Sequence, residues 1–326
     1  MMKFTAIAPS NIAFIKYWGK KDEVLRLPEN GSISMNLSNL QTKTTVEFSP
    51  QYKKDEIIIN NQQEKEEAIR VIEHLDRVRK LAGLKDRAKV VSENNFPKGT
   101  GLSSSASGFA ALTLAASFAA GLNLSKKELS ILARQGSGSA CRSIPDGFVE
   151  WLDGEKSESS YALSLFPPDY WAIADVVAIV SEGPKDVSTT EGQKLVATSP
   201  FFQTRLAGIK TKLELAKELI KEKKFSQFGE LIEAEALELH AIMLTSQPSL
   251  IYWTPGTLKL MKLVKDWRRE GLLVYFTINT GQDVHLLCEQ KNLKALKEKL
   301  KATKEVKNII VNFPARGANL VEDHLF

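Results

Sequence analysis

The segment Pro97-Lys98-Gly99-Thr100-Gly101-Leu102-Ser103-Ser104-Ser105-Ala106-Ser107-Gly108 has the composition of a phosphate-binding loop. Its early glycines allow the backbone to approach a ligand closely, and the small residues after them begin a predicted helix. The free N–H groups and positive dipole end of such a helix favour phosphate. Serine hydroxyls donate to phosphate oxygens or ligate Mg²⁺, which prefers oxygen ligands. The loop is not a Walker A sequence, and a plain Ser/Gly turn into a closely packed helix is the alternative explanation.

Two further segments carry groups suited to anions. The run Gly136-Ser137-Gly138-Ser139-Ala140-Cys141-Arg142-Ser143 presents hydroxyls and backbone N–H groups between glycines. Arg142 can bind a carboxylate bidentately, a geometry that lysine cannot reproduce. In Asn11-Ile12-Ala13-Phe14-Ile15-Lys16-Tyr17-Trp18-Gly19-Lys20, two ammonium groups flank a hydrogen-bonding aromatic residue. These patterns indicate a site for a small, multiply anionic ligand.

The elements that must position these residues alternate between strand and helix. Period-two alternation predicts strands over residues 3–8 and 43–49, and helical spacing predicts helices over 64–82, 206–220, 228–243 and 255–269. Ser125-Lys126-Lys127-Glu128 is a capping box that opens another helix. Apolar runs predict strands at 174–180, 272–278 and 284–288, and a helix over 291–303 and a strand over 306–312 follow. Residues 183–201 show little periodicity, so we predict a loop and a domain boundary there, dividing the chain into 1–182 and 183–326.

Composition excludes several classes of protein. The chain has 326 residues, 43% of them hydrophobic and 25% charged, with a formal charge of +5. This is typical of globular proteins and gives no sign of nucleic-acid binding. Two cysteines without clustered histidines predict neither a disulfide scaffold nor a zinc site. No run is apolar for long enough to predict a membrane span or a signal peptide, so the expected location is cytoplasmic.

The motifs together resemble those of a known family. Pro-x-x-x-Gly-Leu-x-Ser-Ser-Ala at 97–106 is similar to the ATP-binding motif of the GHMP kinase superfamily of small-molecule kinases. The Asn11–Lys20 segment, the Gly136–Ser143 segment and Phe276-Thr277-Ile278-Asn279-Thr280-Gly281 resemble the mevalonate diphosphate decarboxylases in particular. The resemblance spans nearly the whole chain, and the motifs occur in the family's order.

The resemblance implies an α+β fold and an activity. The expected fold is the GHMP kinase fold, with a ribosomal-protein-S5-domain-2-like N-terminal domain that binds ATP and a ferredoxin-like C-terminal domain. The expected reaction is ATP-dependent decarboxylation of mevalonate 5-diphosphate to isopentenyl diphosphate, through 3-phosphorylation, with ATP and Mg²⁺. Such enzymes are commonly homodimers.

The same resemblance implies roles for individual residues. Lys16 and the residue at position 279, here Asn279, are expected in catalysis; Asp283 is a further candidate base, not from the resemblance but from its predicted place across a hairpin tip. Substrate binding is expected from Asn11, Tyr17, Lys20, Ser137, Ser139, Arg142 and Thr189, with Arg142 on the carboxylate. Nucleotide binding is expected from Pro97, Gly99, Gly101, Ser103, Ser104, Ser105 and Ser107, with Ser105 also on the metal.

Two positions depart from the family pattern. Asn279 stands where the family has an aspartate, and an amide can neither accept a proton at neutral pH nor bring a negative charge. Thr190 stands where many members have an arginine near the distal phosphate. The loss of that guanidinium points toward a 5-monophosphate, so a phosphomevalonate decarboxylase giving isopentenyl phosphate is an alternative.

Asn279 itself admits three explanations. In the first, Asn279 is a deliberate substitution that stops turnover and traps a bound complex. In the second, Asn279 is natural, and Asp283 supplies the missing carboxylate from the other side of a hairpin tip. In the third, decarboxylation has been lost while ATP binding remains. A mevalonate 3-kinase that stops after phosphoryl transfer is a further alternative.

Overall fold

The structure is a computed structural model and describes residues 3–62, 65–96, 102–181, 183 and 186–326. The strands are β1 (Lys3–Ile15), β2 (Lys20–Asp22), β3 (Leu27–Pro28), β4 (Ser32–Ser49), β5 (Glu56–Ile59), β6 (Arg87–Asn94), β7 (Phe148–Trp151), β8 (Ala162–Phe166), β9 (Ile173–Ile179), β10 (Val274–Thr277), β11 (Val284–Glu289), β12 (Asn308–Asn312) and β13 (Asn319–Val321). The helices are α1 (Lys65–Ala82), α2 (Ser104–Ala119), α3 (Lys126–Gly136), α4 (Thr189–Lys194), α5 (Phe202–Lys221), α6 (Phe225–Thr245), α7 (Pro255–Arg269) and α8 (Leu293–Lys301). This arrangement confirms the predicted α+β class.

The first sheet is built around β4, which pairs with β1, β6 and β7. Its main strand order is β13-β1-β4-β6-β5, and β8 extends it from β7. The pairs are antiparallel except β5 with β6. Apolar residues of β1, β4 and β6 form one core with those of α1, α2 and α3. Both β1 and β4 are longer than their predicted strands, because buried polar residues interrupt the apolar alternation there.

The helix beginnings follow from local sequence. At α3, Ser125 accepts from the N–H of Glu128, whose carboxylate accepts from Ser125 N, so the predicted capping box is confirmed. Thr254 caps α7 in the same way, with Pro255 at the first helical position. The helix α2 is buried on most of its surface, and its many alanines let it pack closely on β1 and β4.

The second sheet has the order β10-β11-β9-β12, with α7 and α8 packed in its apolar core. The pairing of β9 with β11 and β12 joins residues on either side of position 182, and β13 returns to pair with β1. Each sheet therefore contains strands from both sides of the predicted boundary at 182/183. The division into 1–182 and 183–326 stays a prediction.

The prediction of a loop throughout 183–201 is wrong for residues 189–194. These form α4, capped by Ser188 in a capping box with Glu191. Six residues are too few to show helical periodicity, although Ser-x-x-Glu was a readable start signal.

The two halves share a hydrophobic core. Ile12 and Phe14 of β1 lie in the same cluster as Val177 of β9, Phe228 of α6 and Tyr275 of β10. The Phe14 and Phe228 rings meet edge to face with centroids 4.9 Å apart. Within the part of the chain that the structure describes, no helix combines the length and apolar character needed to cross a membrane.

Candidate active site

A cleft of about 1190 Å³ lies between the two halves of the molecule. The residues that line it come from eight separate places in the chain: the end of β1, Arg26, α1, the start of α2, the 3₁₀ turn Gly138–Ser143, α4, α6 and the turn after β10. Of the predicted site residues, the lining contains Lys16, Tyr17, Ser103, Ser104, Ser105, Ser137, Ser139, Arg142, Thr189 and Asn279. The fold thus gathers most of the predicted site.

Lys16 and Asn279 meet in this cleft from opposite halves. The Lys16 Nζ donates to Asn279 Oδ1 at 3.1 Å and to the carbonyl oxygen of Ala13 at 2.6 Å. Only 2% of Lys16 is exposed, and this burial lowers its pKa to about 7. His240 Nε2 lies 3.0 Å from the carbonyl oxygen of Asn279, which as an acceptor requires the ring nitrogen to donate. Burial lowers the pKa of His240 to about 3, so the ring is neutral.

Arg142 reaches the cleft from the 3₁₀ turn, and Asn11 holds it from behind. The Oδ1 of Asn11 accepts from Arg142 Nε at 3.2 Å and from Nη2 at 3.0 Å, while Arg142 Nη1 donates to Ser32 Oγ at 2.8 Å. Asn11 Nδ2 donates to Ser143 Oγ, which ties both ends of the amide. Asn11 is not part of the cleft lining. The Asn11 side chain orients Arg142, and its predicted contact with substrate stays a prediction.

The serines around Gly138 lie against Tyr17. A Cβ at Gly138 would come within 2.9 Å of Tyr17 Oη, so the close approach of turn and ring requires glycine. The Tyr17 hydroxyl donates to Gln193 Oε1 at 3.0 Å, and burial raises the pKa of the tyrosine. Ser137 Oγ lies 3.4 Å from Ser105 Oγ, linking the two serine-rich segments across the cleft.

The start of α2 carries the described part of the predicted nucleotide loop. Pro97, Gly99 and Gly101 lie outside the described residues. Ser103 has a left-handed φ of 60° and makes no side-chain capping bond, and Ser105 is exposed. Ser107 is buried instead, with its Oγ 2.6 Å from Thr42 Oγ1. The expectation that Ser107 binds the cofactor is not supported, because α2 turns it toward β4.

A second, smaller pocket adjoins the start of α2. Glu67, Arg70, Ser104 and Ser105 line both this space and the cleft, so the two are neighbours with a shared wall. The rest of its lining is largely apolar and includes Ile59, Val71, Val90, Phe109 and Leu112. Nothing in the sequence pointed to it, since its walls come from five elements spread over residues 44–112.

Two further predicted site residues, like Asn11 and Ser107, lie away from the cleft lining. Lys20 forms an ion pair with Glu23, and 1% of its side chain is exposed. Asp283 is buried, and its Oδ1 accepts from the backbone N–H of Val180 at 3.0 Å. The hypothesis that Asp283 replaces a carboxylate at position 279 is not supported by this placement.

Two cationic residues of the cleft were not predicted, Arg26 and Arg70. Arg26 Nε donates to the carbonyl oxygen of Gln135, and Arg70 stacks over Phe109 with its guanidinium 4.9 Å from the ring centroid. Neither belongs to a recognisable motif. Arg26 has a φ of 52°, a backbone conformation that no pattern in the sequence predicts. Thr280 also lines the cleft, with its Oγ1 2.7 Å from Thr189 Oγ1.

Charge in the described cleft is strongly unbalanced. Its lining contains three guanidinium groups, those of Arg26, Arg70 and Arg142, and the amine of Lys16, against one carboxylate, that of Glu67. Hydroxyls at a helix N-terminus face the same space. Fold and site together define a protein that binds small anionic ligands between two α+β halves.

Comparisons with known proteins agree with this class. Residues 8–162 match the diphosphomevalonate decarboxylase-like N-terminal domain, and residues 175–321 match the mevalonate 5-diphosphate decarboxylase C-terminal domain. The diphosphomevalonate decarboxylase of Candida albicans is 36% identical over 310 residues, covering 90% of this chain and 86% of that protein. The chain belongs to the diphosphomevalonate decarboxylase family.

Solved structures give the same result. Mevalonate diphosphate decarboxylase from Staphylococcus aureus superposes with a TM-score of 0.94 at 38% identity, covering 98% of both chains. A complex of MDDEF with MVAPP, AMPPCP and magnesium superposes with a TM-score of 0.93 at 42% identity, covering 99% of both. The predicted GHMP kinase fold is confirmed by these matches.

Proposed function

We propose that this protein catalyses the ATP-dependent decarboxylation of mevalonate 5-diphosphate to isopentenyl diphosphate, through phosphorylation of the tertiary hydroxyl. The observation that carries the proposal is the cleft itself, in which three guanidinium groups and the Lys16 amine face one carboxylate among the described lining residues. A substrate with a carboxylate and two phosphate groups requires this excess of positive charge.

The residues present fit a nucleotide with Mg²⁺. The first turn of α2 contains no acidic residue that would repel phosphate, and its N-terminal serines lie beside Arg70. The adjoining apolar cavity suits a purine base, with Phe109 and Leu112 in its wall. Ser104 and Ser105 would hold the phosphates, with the Ser105 hydroxyl on the metal. When bound, Mg²⁺ neutralises phosphate charge that would otherwise resist transfer.

Arg142 is proposed to hold the substrate carboxylate. Asn11 and Ser32 occupy its Nε, Nη1 and Nη2 with neutral acceptors, so the guanidinium keeps its charge for a ligand while its plane is fixed. Fixing the carboxylate aligns the bond that breaks when CO₂ leaves. Ser137 and Ser139 would bind the phosphate end as hydroxyl donors, with the ring of Tyr17, whose hydroxyl donates to Gln193, beside them.

The 5-monophosphate is a second candidate substrate because of Thr190. Thr190 lines the cleft beside Thr189, and it supplies a hydroxyl where a guanidinium would bind an outer phosphate. Arg26 is another cation of the same cleft. The substrate phosphates therefore still have a cationic partner, although position 190 carries no charge.

One assay separates the candidates. The protein and its Asn279→Asp variant are incubated with MgATP and mevalonate, its 5-phosphate or its 5-diphosphate, and ADP and CO₂ are followed. We expect ADP and CO₂ in equal amounts from the 5-diphosphate. Preference for the 5-phosphate supports the phosphomevalonate decarboxylase. ADP without CO₂ supports the 3-kinase, and products from the variant alone support an inactive or trapping protein.

A cytoplasmic homodimer is proposed as well. Both cysteines are free and buried, which fits a reducing compartment. The dimer rests on the family resemblance, and light scattering of the purified protein tests it by mass: about 72 kDa is expected from two chains of 36.2 kDa.

A further inference from the structure

Lys16 has only neutral hydrogen-bond acceptors at its amine within the described structure. These are the carbonyl oxygen of Ala13 at 2.6 Å and the amide Oδ1 of Asn279 at 3.1 Å. An ammonium has three N–H donors, whereas a neutral amine has two N–H donors and one lone pair. Two acceptors satisfy the neutral amine fully and leave its lone pair for the cleft that Lys16 lines.

Four charged residues act on Lys16, namely Glu235, Asp175, Arg142 and Arg205, and both carboxylates among them already have other partners. Glu235 of α6 pairs with Arg205 of α5 and with Lys212, and its Oε1 accepts from the backbone N–H of Lys16 rather than from Nζ. Asp175 of β9 is bound by His285 and by Asn312. Arg142 and Arg205 add positive charge nearby, which disfavours the ammonium.

Burial and the guanidinium groups of Arg142 and Arg205 lower the pKa of Lys16, whereas Glu235 and Asp175 raise it. Desolvation is the largest cause of the lowered Lys16 pKa, about 7, and the field of Glu235 opposes it only in part. Buried lysines with lowered pKa values serve as general bases in other enzymes. Asn279, although adjacent, cannot accept a proton.

The cleft offers few other bases. Glu67 is the carboxylate of its described lining, and it borders the second cavity on the α1 side as well. We propose that the neutral amine of Lys16 accepts the proton of the substrate's tertiary hydroxyl during phosphoryl transfer, an inference that rests on the proposed function.

The O–H bond of the hydroxyl breaks, and its proton is bound by the lone pair of Lys16 Nζ, which becomes an ammonium. The oxygen forms a bond to the terminal phosphorus of the nucleoside triphosphate. The bond from that phosphorus to its bridging oxygen breaks, and its electron pair leaves with the nucleoside diphosphate. The ammonium returns its proton to solvent before the next turnover.

The first test measures titration without turnover. Protein labelled with ¹³C-lysine is titrated by NMR, and the Lys16 signal is assigned from its loss in Lys16→Arg. We expect a midpoint near 7, and a higher midpoint in Asn279→Asp, because an adjacent carboxylate stabilises the ammonium. A midpoint above about 9 in the unmodified protein contradicts the proposal, whatever its activity.

The second test measures turnover. The rate of ADP formation should rise with pH through the NMR midpoint and then level off. Lys16→Arg keeps the charge but cannot accept a proton, so kcat should fall on the order of 100-fold with KM little changed. Lys43→Arg, at a surface ion pair with Asp323, is the matched control. If Lys16→Arg keeps kcat and the pH profile, Lys16 is not the acceptor. If the unmodified protein forms no ADP from any substrate, the proposed function itself fails.

Discussion

Glu235 Oε1 accepts the backbone N–H of Lys16 at 2.9 Å, although the two residues are 219 positions apart. Arg205, the ion-pair partner of Glu235, donates through Nη2 to the carbonyl oxygen of Lys16 at 3.0 Å. Both peptide groups of the lysine are therefore held by one buried ion pair from α5 and α6, just where β1 ends. A buried ion pair is weak evidence for stability, and its contacts here suggest that it positions Lys16.

Removing the charge of Glu235 should destabilise the fold. Glu235→Gln leaves Arg205 buried without its carboxylate, and we expect the free energy of unfolding to fall by about 3–5 kcal/mol, measured by urea denaturation. It should also lower the Lys16 pKa further, since Glu235 raises it. Glu233→Gln is the control on the same helix, because Glu233 pairs with Arg268. It should reduce stability and leave the Lys16 titration unchanged.

Lys16→Met should stabilise the protein in a pH-dependent way. The folded-state pKa of Lys16 is about 7, below its ordinary value of 10.5, so the folded protein binds fewer protons between these values. The cost of burying the ammonium is complete below pH 7 and is relieved as pH rises toward 10.5. We expect the variant to gain about 2–5 kcal/mol at pH 6 and progressively less at alkaline pH. A gain that does not depend on pH would show that Lys16 does not titrate in this range.

Arg142→Lys should weaken substrate binding while sparing the nucleotide. Loss of a bidentate, charge-assisted contact costs about 1.5–3 kcal/mol, so KM for the mevalonate substrate should rise on the order of 10- to 100-fold. Steady-state kinetics with each substrate varied in turn measure this. Arg79→Lys, at a buried arginine paired with Asp55 and Asp76, is the control. It should lower stability without changing either KM, and an equal rise for ATP in Arg142→Lys would contradict the assignment.

Ser105→Ala and Ser107→Ala should have different effects, one on KM for MgATP and the other on stability, although both residues lie in the same predicted loop. Loss of the exposed Ser105 hydroxyl should raise KM for MgATP by about tenfold, with little change in stability. Loss of the Ser107 hydroxyl removes its bond to Thr42 and should cost about 1 kcal/mol of stability, leaving KM for MgATP unchanged. The reverse pattern would place the metal on the other serine.

Thr190→Arg should shift preference toward the diphosphate substrate. A guanidinium at this position adds a bidentate phosphate partner in the cleft. We expect the ratio of kcat/KM for the 5-diphosphate over the 5-phosphate to rise by about tenfold. Ala197→Arg, at an exposed position just beyond α4, is the charge-matched control and should leave the ratio unchanged.

Much of the fold was readable from the sequence because its signals are local. The capping box at Ser125 and the amphipathic repeat of α1 each lie within a few turns of chain, and both are confirmed. The strands β7, β8 and β13 were missed. They are three to five residues long, and their pairing partners, not their own pattern, make them strands.

The sequence by itself determined which chemical groups this protein has: serines before a small-residue helix, an arginine among glycine-spaced serines, and a lysine close to the N-terminus. Only the tertiary structure decided which of them face the cleft. It buries Ser107 against Thr42, pairs Lys20 with Glu23 and turns Asp283 toward Val180, while it brings in Arg26 and Arg70. The physical reason is that spacing along the chain fixes helix and strand periodicity, whereas exposure and protonation depend on charges and packing partners brought from distant segments.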